Sequence, residues 1–247
     1  MTGTYRENYQ ALGAAQKGAA RSAPAYSRFV NRRLGRLLAA GAVRAGLTPN
    51  QVTGVSAVFT FTAIAALVLV APSWWSGILV GLALVVGYAF DSADGQVARL
   101  TKTGGPGGEW LDHVVDSVKV VSLPLAVMVG WYRFDTHQRC WLVVPLVHAV
   151  VSSVLFFAMI LTEQLRRSRG VVSKAAVGGR APWLRSVLVV PTDYGILCLL
   201  FFAWGATGAF AVGYTLVVAA TMLFLAAALV RWFREVRALP AVSKEGT

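Results

Sequence analysis

The sequence is short of charge, and this scarcity excludes an ordinary soluble protein. Only 14% of its 247 residues are charged and 56% are hydrophobic, whereas a soluble globular domain carries about 25% charged residues. The mean hydropathy is +0.61. We therefore expect an integral membrane protein, and the length suits one domain of about six spans of about 20 apolar residues each.

The sequence also has few cysteines, and its first 20 residues contain no apolar segment. The two cysteines, Cys140 and Cys198, both fall in predicted spans, and we expect them to be small buried apolar residues rather than a disulfide. The first 20 residues are polar and lack an apolar core, so we expect no cleavable signal peptide.

Long uncharged runs predict the positions of the spans. Residues 45–90 contain no charged residue, and a proline with two tryptophans of the interfacial type divides this run at 71–77. Thr48 as N-cap and Pro49 at the first helical position are predicted to open the first span. The predicted fold is an all-α membrane protein with six transmembrane helices, at about 48–70, 75–98, 108–132, 140–163, 185–206 and 209–230.

A basic segment precedes the first span. In residues 25–46 arginines alternate with apolar residues at helical spacing, which favours an amphipathic helix on the cytoplasmic surface of an anionic membrane over a solvated basic helix. The predicted organisation is a polar N-terminal tail at 1–24, a membrane domain at 25–235 and a cytoplasmic C-terminal tail at 236–247.

The net charge of +12 is distributed by membrane side. With the N-terminus assigned to the cytoplasm, 20 of the 23 Lys and Arg residues lie in cytoplasmic segments, and only Arg133 and Arg139 lie on the opposite side. The positive-inside rule then predicts that both termini and the segment 91–107 are cytoplasmic in a multi-pass protein of the cell membrane. We expect anionic lipids, and not nucleic acid, as partners of the basic residues.

Four aspartates stand out in this apolar chain. Asp91 and Asp94 are three residues apart at the inner end of the second span, and Asp112 and Asp116 are four residues apart at the start of the third, so each pair shares a helix face. The short loop between them predicts antiparallel neighbouring helices. Converging carboxylates repel one another, and hard cations such as Mg²⁺ relieve this repulsion. Two metal ions would suit displacement at phosphorus.

Small residues and an arginine accompany these aspartates. Gly95 has no side chain to block a nucleotide or phosphate, and Ala98 keeps the same stretch thin. Arg99 lies four residues after Gly95 and is interpreted as a phosphate-binding residue, with an interfacial anchor as the alternative.

Residues 91–116 resemble the signature of the CDP-alcohol phosphotransferase family, D-x2-D-G-x2-A-R-x8-G-x3-D-x3-D. All eight fixed positions and their spacings match: Asp91, Asp94, Gly95, Ala98, Arg99, Gly108, Asp112 and Asp116. The six-span plan and the surface helix also resemble the bacterial members of this family. The stretch TPNQVT at 48–53 resembles a second family element at the start of the first span.

The resemblance implies a reaction and a set of roles. A CDP-alcohol, with CDP-diacylglycerol as the first choice, would transfer its phosphatidyl group to the hydroxyl of a lipid or small-alcohol acceptor in phospholipid biosynthesis, with release of CMP. The four aspartates would hold two Mg²⁺ ions, or Mn²⁺, and Asp116 would also act as general base. The family typically forms homodimers. The CDP moiety would contact Asn50, Thr53, Gly95, Ala98, Arg99 and Gly108.

The sequence leaves the acceptor alcohol open. The stretch GEWLDHVVDS at 108–117 resembles members that transfer from CDP-choline or CDP-ethanolamine to diacylglycerol, whereas the short six-span plan resembles bacterial phosphatidyltransferases. Glu109, His113, Lys119 and Asp193 are candidates for acceptor contacts or for positions around the metal ligands. Lys119 is interpreted as a phosphate-binding residue, as a group that moderates the carboxylate charge, or as a snorkelling lysine.

Two further features and one other function class complete the interpretation. His148 is predicted to form an interhelical hydrogen bond. The basic residues at 166–185 are interpreted mainly as topology anchors and headgroup contacts. An ion-coupled transporter is the remote alternative. It would spread acidic residues along the spans near the membrane midplane, whereas the four aspartates here cluster in one segment.

Overall fold

The computed structural model describes residues 3–15, 24–171 and 193–240, and the regular structure in these residues is helical. A π-helical turn at Ser27–Asn31 leads into the second helix, and 3-10 turns at Arg139–Leu142 and Phe201–Ala203 flank two others. The helices are α1 (Tyr5–Ala15), α2 (Arg32–Arg44), α3 (Pro49–Leu69), α4 (Trp74–Thr101), α5 (Pro106–Arg133), α6 (Val143–Ser168), α7 (Tyr194–Leu200) and α8 (Thr207–Arg237).

Five helical stretches are long and apolar enough to cross a membrane, which agrees with a multi-pass membrane protein. They are α3, α4, α5, the stretch Arg139–Ser168 that contains α6, and α8, and they match five of the six predicted spans. The remaining predicted span, 185–206, begins outside the described residues. Its described part forms the short apolar helix Tyr194–Ala203, which is shorter than the roughly 20 residues that a span needs.

Local signals explain where the first two spans begin and how the second ends. The Thr48 hydroxyl accepts a hydrogen bond from the Gln51 N–H, while the Gln51 side chain accepts one from the Thr48 N–H, and Pro49 follows at the first helical position, as predicted. Ser73 forms the equivalent capping box with the N–H and hydroxyl of Ser76 before α4. At the other end of α4, Lys102 adopts a left-handed conformation with φ of 56°. This residue turns the chain into the short loop before α5.

The N-terminal residues pack against the membrane domain. The segment predicted as a polar tail contains α1, whose Leu12 is 2% exposed and clusters with Ala39 and Ala40 of α2 and Ala93 of α4. The opposite side of α2 leaves Leu37 exposed. The predicted surface segment at 25–46 is therefore largely helical, with both buried and exposed residues. Its contact with a membrane surface stays a prediction.

Helices α3 and α4 approach closely at Gly87. A Cβ atom there would collide with the Thr60 side chain, and the Ser56 hydroxyl donates a hydrogen bond of 2.9 Å to the Gly87 carbonyl. Because the two backbones are so near, side chains of α3 reach the carboxylates in the C-terminal part of α4.

Interhelical polar contacts join the remaining helices. His148 of α6 is buried and its Nδ1 lies 2.6 Å from the Tyr214 hydroxyl of α8, which confirms the predicted interhelical hydrogen bond. Arg166 of α6 pairs with Glu235 of α8 at 2.7 Å. The later members of the basic cluster, from residue 172 to 185, lie outside the described residues.

One expectation about the cysteines is wrong. Cys198 is buried in α7, but Cys140 is exposed. The reason is its position in the 3-10 turn that precedes α6, where its side chain is not enclosed by neighbouring helices.

Candidate active site

Three aspartates converge between the C-terminal part of α4 and the N-terminal part of α5. One oxygen from each of Asp91, Asp112 and Asp116 can be chosen so that all three lie within 4.8 Å of one another. The prediction that α4 and α5 are direct neighbours is wrong, because both helices pack against α3 and make little direct contact with each other. Their shared packing on α3 brings the two halves of the motif together. A cluster of partly buried carboxylate oxygens is a suitable donor set for Mg²⁺ or Mn²⁺.

Asp94 lies beside this cluster and has partners of its own. It is 7% exposed, and the Thr53 hydroxyl of α3 donates a hydrogen bond of 2.6 Å to its Oδ2 atom. The Gly95 N–H donates to the other carboxylate oxygen. The spacing predicts one group of four carboxylates, whereas the structure groups three of them, because Thr53 and Gly95 engage the fourth. Asp94 as a metal ligand stays a prediction.

Lys119 lies among the carboxylates. Its Nζ atom is 2.6 Å from Asp91 Oδ1 and 3.0 Å from Asp116 Oδ1, and it donates to the Ser56 hydroxyl at 3.3 Å. The lysine side chain is only 7% exposed. This geometry agrees with the interpretation that Lys119 moderates the carboxylate charge, and it is unlike a snorkelling lysine, whose ammonium reaches water. The sequence interpretation missed Ser56, although it lies one helical turn after Thr53.

The predicted CDP contacts all line one cavity. This cavity has a volume of about 630 Å³ and lies between the start of α3, the end of α4 and the start of α5, and Asp94, Asp112 and Glu109 also border it. A Cβ at Gly95 would meet only the Arg99 guanidinium, at 3.5 Å, and one at Gly108 would meet the Asn50 side chain at 3.3 Å. The predicted residues that line the cavity are Asn50, Thr53, Gly95, Ala98, Arg99 and Gly108.

A second cavity of about 390 Å³ adjoins the first and shares Asp94, Gly95, Arg99 and Asp112 with it. Ser27, Asn31 and Arg32 form one wall, and the cavity shares Asp91 and Arg99, among others, with the motif. Burial, and then the nearby positive charge of Arg99, lowers the pKa of Arg32. The sequence interpretation assigned this segment to the membrane surface and missed its contribution to a cavity beside the motif.

The other candidate residues have partners at the edge of the site. Glu109 accepts a hydrogen bond of 2.6 Å from Arg167 of α6 and lies 3.8 Å from the His113 ring nitrogen Nε2. Asp193 is buried, caps α7 through the Gly195 N–H at 3.1 Å, and accepts a hydrogen bond of 3.1 Å from the Ser27 N–H. Asp193 therefore anchors a wall of the second cavity, and Glu109 joins α5 to α6.

Comparison with known proteins identifies the family. The family model described as CDP-alcohol phosphatidyltransferase matches residues 46–242, which include all five long apolar helices and the aspartate cluster. The chain belongs to the CDP-alcohol phosphatidyltransferase family. The family assignment thus rests on most of the chain and agrees with the signature at 91–116.

Two curated relatives match a shorter part of this chain. Cholinephosphotransferase 1 of Xenopus laevis is 31% identical over 90 residues, which are 34% of this chain and 22% of that protein. Cholinephosphotransferase 1 of Mus musculus is 28% identical over 102 residues, which are 39% of this chain and 25% of that protein. The match thus spans about a quarter or less of the length of these relatives.

Solved structures share the fold over most of the chain. The phosphatidylinositol phosphate synthase of Mycobacterium tuberculosis with CDP-DAG bound has a TM-score of 0.53 and 22% identity, covering 88% of this chain and 98% of that chain. The same enzyme in complex with manganese and citrate has a TM-score of 0.52 and 22% identity, covering 85% and 92%. At this identity the likeness establishes the fold.

Proposed function

We propose that this protein is an integral membrane phosphotransferase of phospholipid biosynthesis. It would move the phosphatidyl group of CDP-diacylglycerol to the hydroxyl of an acceptor alcohol and release CMP. One observation carries the proposal: the cavity of about 630 Å³ gathers all six predicted CDP contacts beside the aspartate cluster. The fold shared with a synthase that was solved with CDP-DAG bound supports the choice of donor.

The donor fits this cavity by charge and by space. Arg99 supplies a fixed positive charge for the diphosphate, because guanidinium groups bind phosphate oxygens through paired hydrogen bonds. The open space above the Gly95 Cα atom allows the diphosphate to approach the backbone of α4. Asn50 and Thr53 line the same cavity from α3, where they are suited to contact the nucleotide.

The transfer is a displacement at phosphorus. The acceptor oxygen forms a bond to the phosphorus that carries the alcohol, the bond from this phosphorus to the bridging oxygen breaks, and CMP leaves with that oxygen. The acceptor hydroxyl loses its proton to the Asp116 carboxylate, which acts as general base. The second cavity borders Asp91 and Asp112 and adjoins the donor cavity, so it offers the acceptor a place next to the donor.

Asp91, Asp112 and Asp116 would hold divalent metal, and Asp94 would complete the set from its position beside them. We propose two Mg²⁺ ions, with Mn²⁺ able to replace them. Bound metal would stabilise negative charge on the attacking and leaving oxygens. The neighbouring structure with manganese supports a divalent ion in this fold.

The membrane arrangement is part of the same proposal. Six spans with both termini in the cytoplasm place the aspartates at the cytoplasmic face, and the distribution of Lys and Arg supports this orientation. The exposed side of α2 would contact anionic lipids through its arginines. A homodimer in the cell membrane completes the proposed assembly.

Transfer from CDP-choline or CDP-ethanolamine to diacylglycerol is the second candidate. It is favoured by Glu109, His113 and Ser117 in the motif, and by the two matched cholinephosphotransferases. An ion-coupled transporter is less well supported, since the clustered aspartates lie together at one end of α4 and α5 and not along the described spans.

Measurement of CMP release tests these candidates directly. Purified protein in lipid vesicles is offered CDP-diacylglycerol or CDP-choline, each with a panel of acceptor alcohols, in Mg²⁺, in Mn²⁺ or in EDTA. We expect metal-dependent CMP release with CDP-diacylglycerol and one class of small polar alcohol. Release only with CDP-choline and diacylglycerol would establish the second candidate, and no release from any CDP-alcohol would refute both.

A further inference from the structure

The ammonium group of Lys119 has an unusual location. It is buried between α3, α4 and α5, where it contacts the carboxylates of Asp91 and Asp116 at 2.6 and 3.0 Å and the hydroxyl of Ser56 at 3.3 Å. Two of the three grouped aspartates therefore already have a positive partner within the protein.

These contacts set up a competition. A divalent cation at the same carboxylates would lie near the ammonium, and like charges repel strongly where water is largely excluded. When ionised, three carboxylates and one ammonium carry a net charge of −2. One divalent cation neutralises this charge, whereas a second would leave the group positive even if the Asp94 carboxylate contributes.

We propose that Lys119 is an internal counter-ion that holds Asp91 and Asp116 together without metal and weakens the binding of divalent cations by the aspartate cluster. This inference rests on the metal site of the proposed function. It makes Lys119 a positioning residue that tunes how much metal the site retains. A role in binding the phosphate of an acceptor makes a different prediction, because it would affect acceptor affinity and leave metal affinity unchanged.

Direct measurement of metal affinity tests the proposal. Wild-type protein, Lys119→Met, Lys119→Gln and the control Lys102→Met are titrated with Mn²⁺ in detergent, and free Mn²⁺ is measured by electron paramagnetic resonance. Lys102 is exposed at the end of α4, so its replacement removes a nearby lysine without altering the cluster. We expect both Lys119 variants to bind Mn²⁺ at least about tenfold more tightly than wild type, and the control to match wild type.

Thermal unfolding provides a second readout. In EDTA the Lys119 variants should unfold at a lower temperature than wild type, since the carboxylates lose their counter-ion. Saturating Mg²⁺ should therefore raise the unfolding temperature of the variants more than that of wild type. If the methionine variant does not fold, the glutamine variant, whose side chain stays polar without a charge, carries both measurements.

The possible results separate this inference from the function on which it rests. Equal or weaker Mn²⁺ binding by the Lys119 variants would overturn the counter-ion role. A raised KM for an anionic acceptor with unchanged Mn²⁺ affinity would do the same, in favour of acceptor binding. No Mn²⁺ binding by wild-type protein or by either Lys119 variant would overturn the proposed metal site and this inference together.

Discussion

The hydrogen bond between Thr53 and Asp94 offers the sharpest test of the site, because replacing Thr53 with Val removes it while keeping the branched shape of the side chain. Thr53 is 4% exposed and Asp94 is 7% exposed, and the hydroxyl lies 2.6 Å from the carboxylate oxygen. A hydrogen bond to a charged group contributes about 1.5–3 kcal/mol, and a buried carboxylate left without a donor has a comparable cost. We expect Thr53→Val to lower the free energy of unfolding by about that amount.

The expected effect is large enough to measure in detergent. For a chain of this size, each kcal/mol shifts the unfolding temperature by about 2–4 °C, so the shift should be about 3–12 °C. The variant should also lose about tenfold or more in kcat/KM for the CDP-alcohol, since about 1.4 kcal/mol corresponds to a factor of ten. The assays are thermal unfolding and CMP release.

Two matched variants give this experiment its controls. Thr53→Ser keeps the hydroxyl and should recover most of the stability and activity. Thr62→Val makes the same chemical change on the exposed side of α3 and should be neutral. If Thr53→Val behaves like Thr62→Val in both assays, Thr53 does not hold Asp94 in a position that matters, and the reasoning is refuted.

Three further predictions concern the base, the donor cavity and the helix contacts. Asp116→Asn should reduce CMP release by at least about 10²-fold, the contribution of a general base, while CDP-alcohol binding measured by equilibrium titration persists; normal turnover would exclude Asp116 as the base. Gly95→Ala should weaken donor binding, because its Cβ would occupy the space that the diphosphate needs next to α4. It should not lower the unfolding temperature, since alanine favours a helix by up to about 1 kcal/mol over glycine and its Cβ would make only ordinary contact with Arg99. An unchanged donor KM would contradict the proposed approach of the diphosphate to α4. Tyr214→Phe removes the hydroxyl that lies 2.6 Å from His148, so it should lower the free energy of unfolding by about 1–3 kcal/mol with little change in KM. An unchanged unfolding temperature would show that this contact contributes nothing to stability.

The chemistry of the motif could be predicted from the sequence because it depends on short-range geometry. The spacing of Asp112 and Asp116 by four residues sets a shared helix face wherever the helix lies. The short loop before Pro106 predicted that α4 and α5 are neighbours. The structure instead packs both helices against α3, and this arrangement still brings Asp91 near the second pair. Gly95, Ala98 and Arg99, which the family resemblance implies as contacts of the CDP moiety, line one cavity.

Prediction was weaker where a segment can be stabilised in more than one way. The arginine-rich residues 25–46 have the pattern of a surface helix, yet α2 also buries Ala39 and Ala40 against its neighbours, and Arg32 borders a cavity beside the motif. Asp193 is charged within an apolar stretch, which suggested a place near the site, whereas its carboxylate caps α7 and accepts from the Ser27 N–H. Spacing along the chain does not specify such partners.

The sequence by itself determined the class of protein, five of its apolar helices, the pairing of aspartates across two of them and the family. Each of these follows from composition or from residues within about one helix or one loop of each other. Tertiary structure alone decided that Thr53 holds Asp94 and that Lys119 joins Asp91 to Asp116. Thr53 and Asp94 are 41 residues apart, and Lys119 and Asp91 are 28 residues apart. They meet because α4 and α5 both pack against α3, and α3 approaches α4 closely at Gly87. Which carboxylates are free for metal is therefore a property of helix packing, although the carboxylates themselves are visible in the sequence.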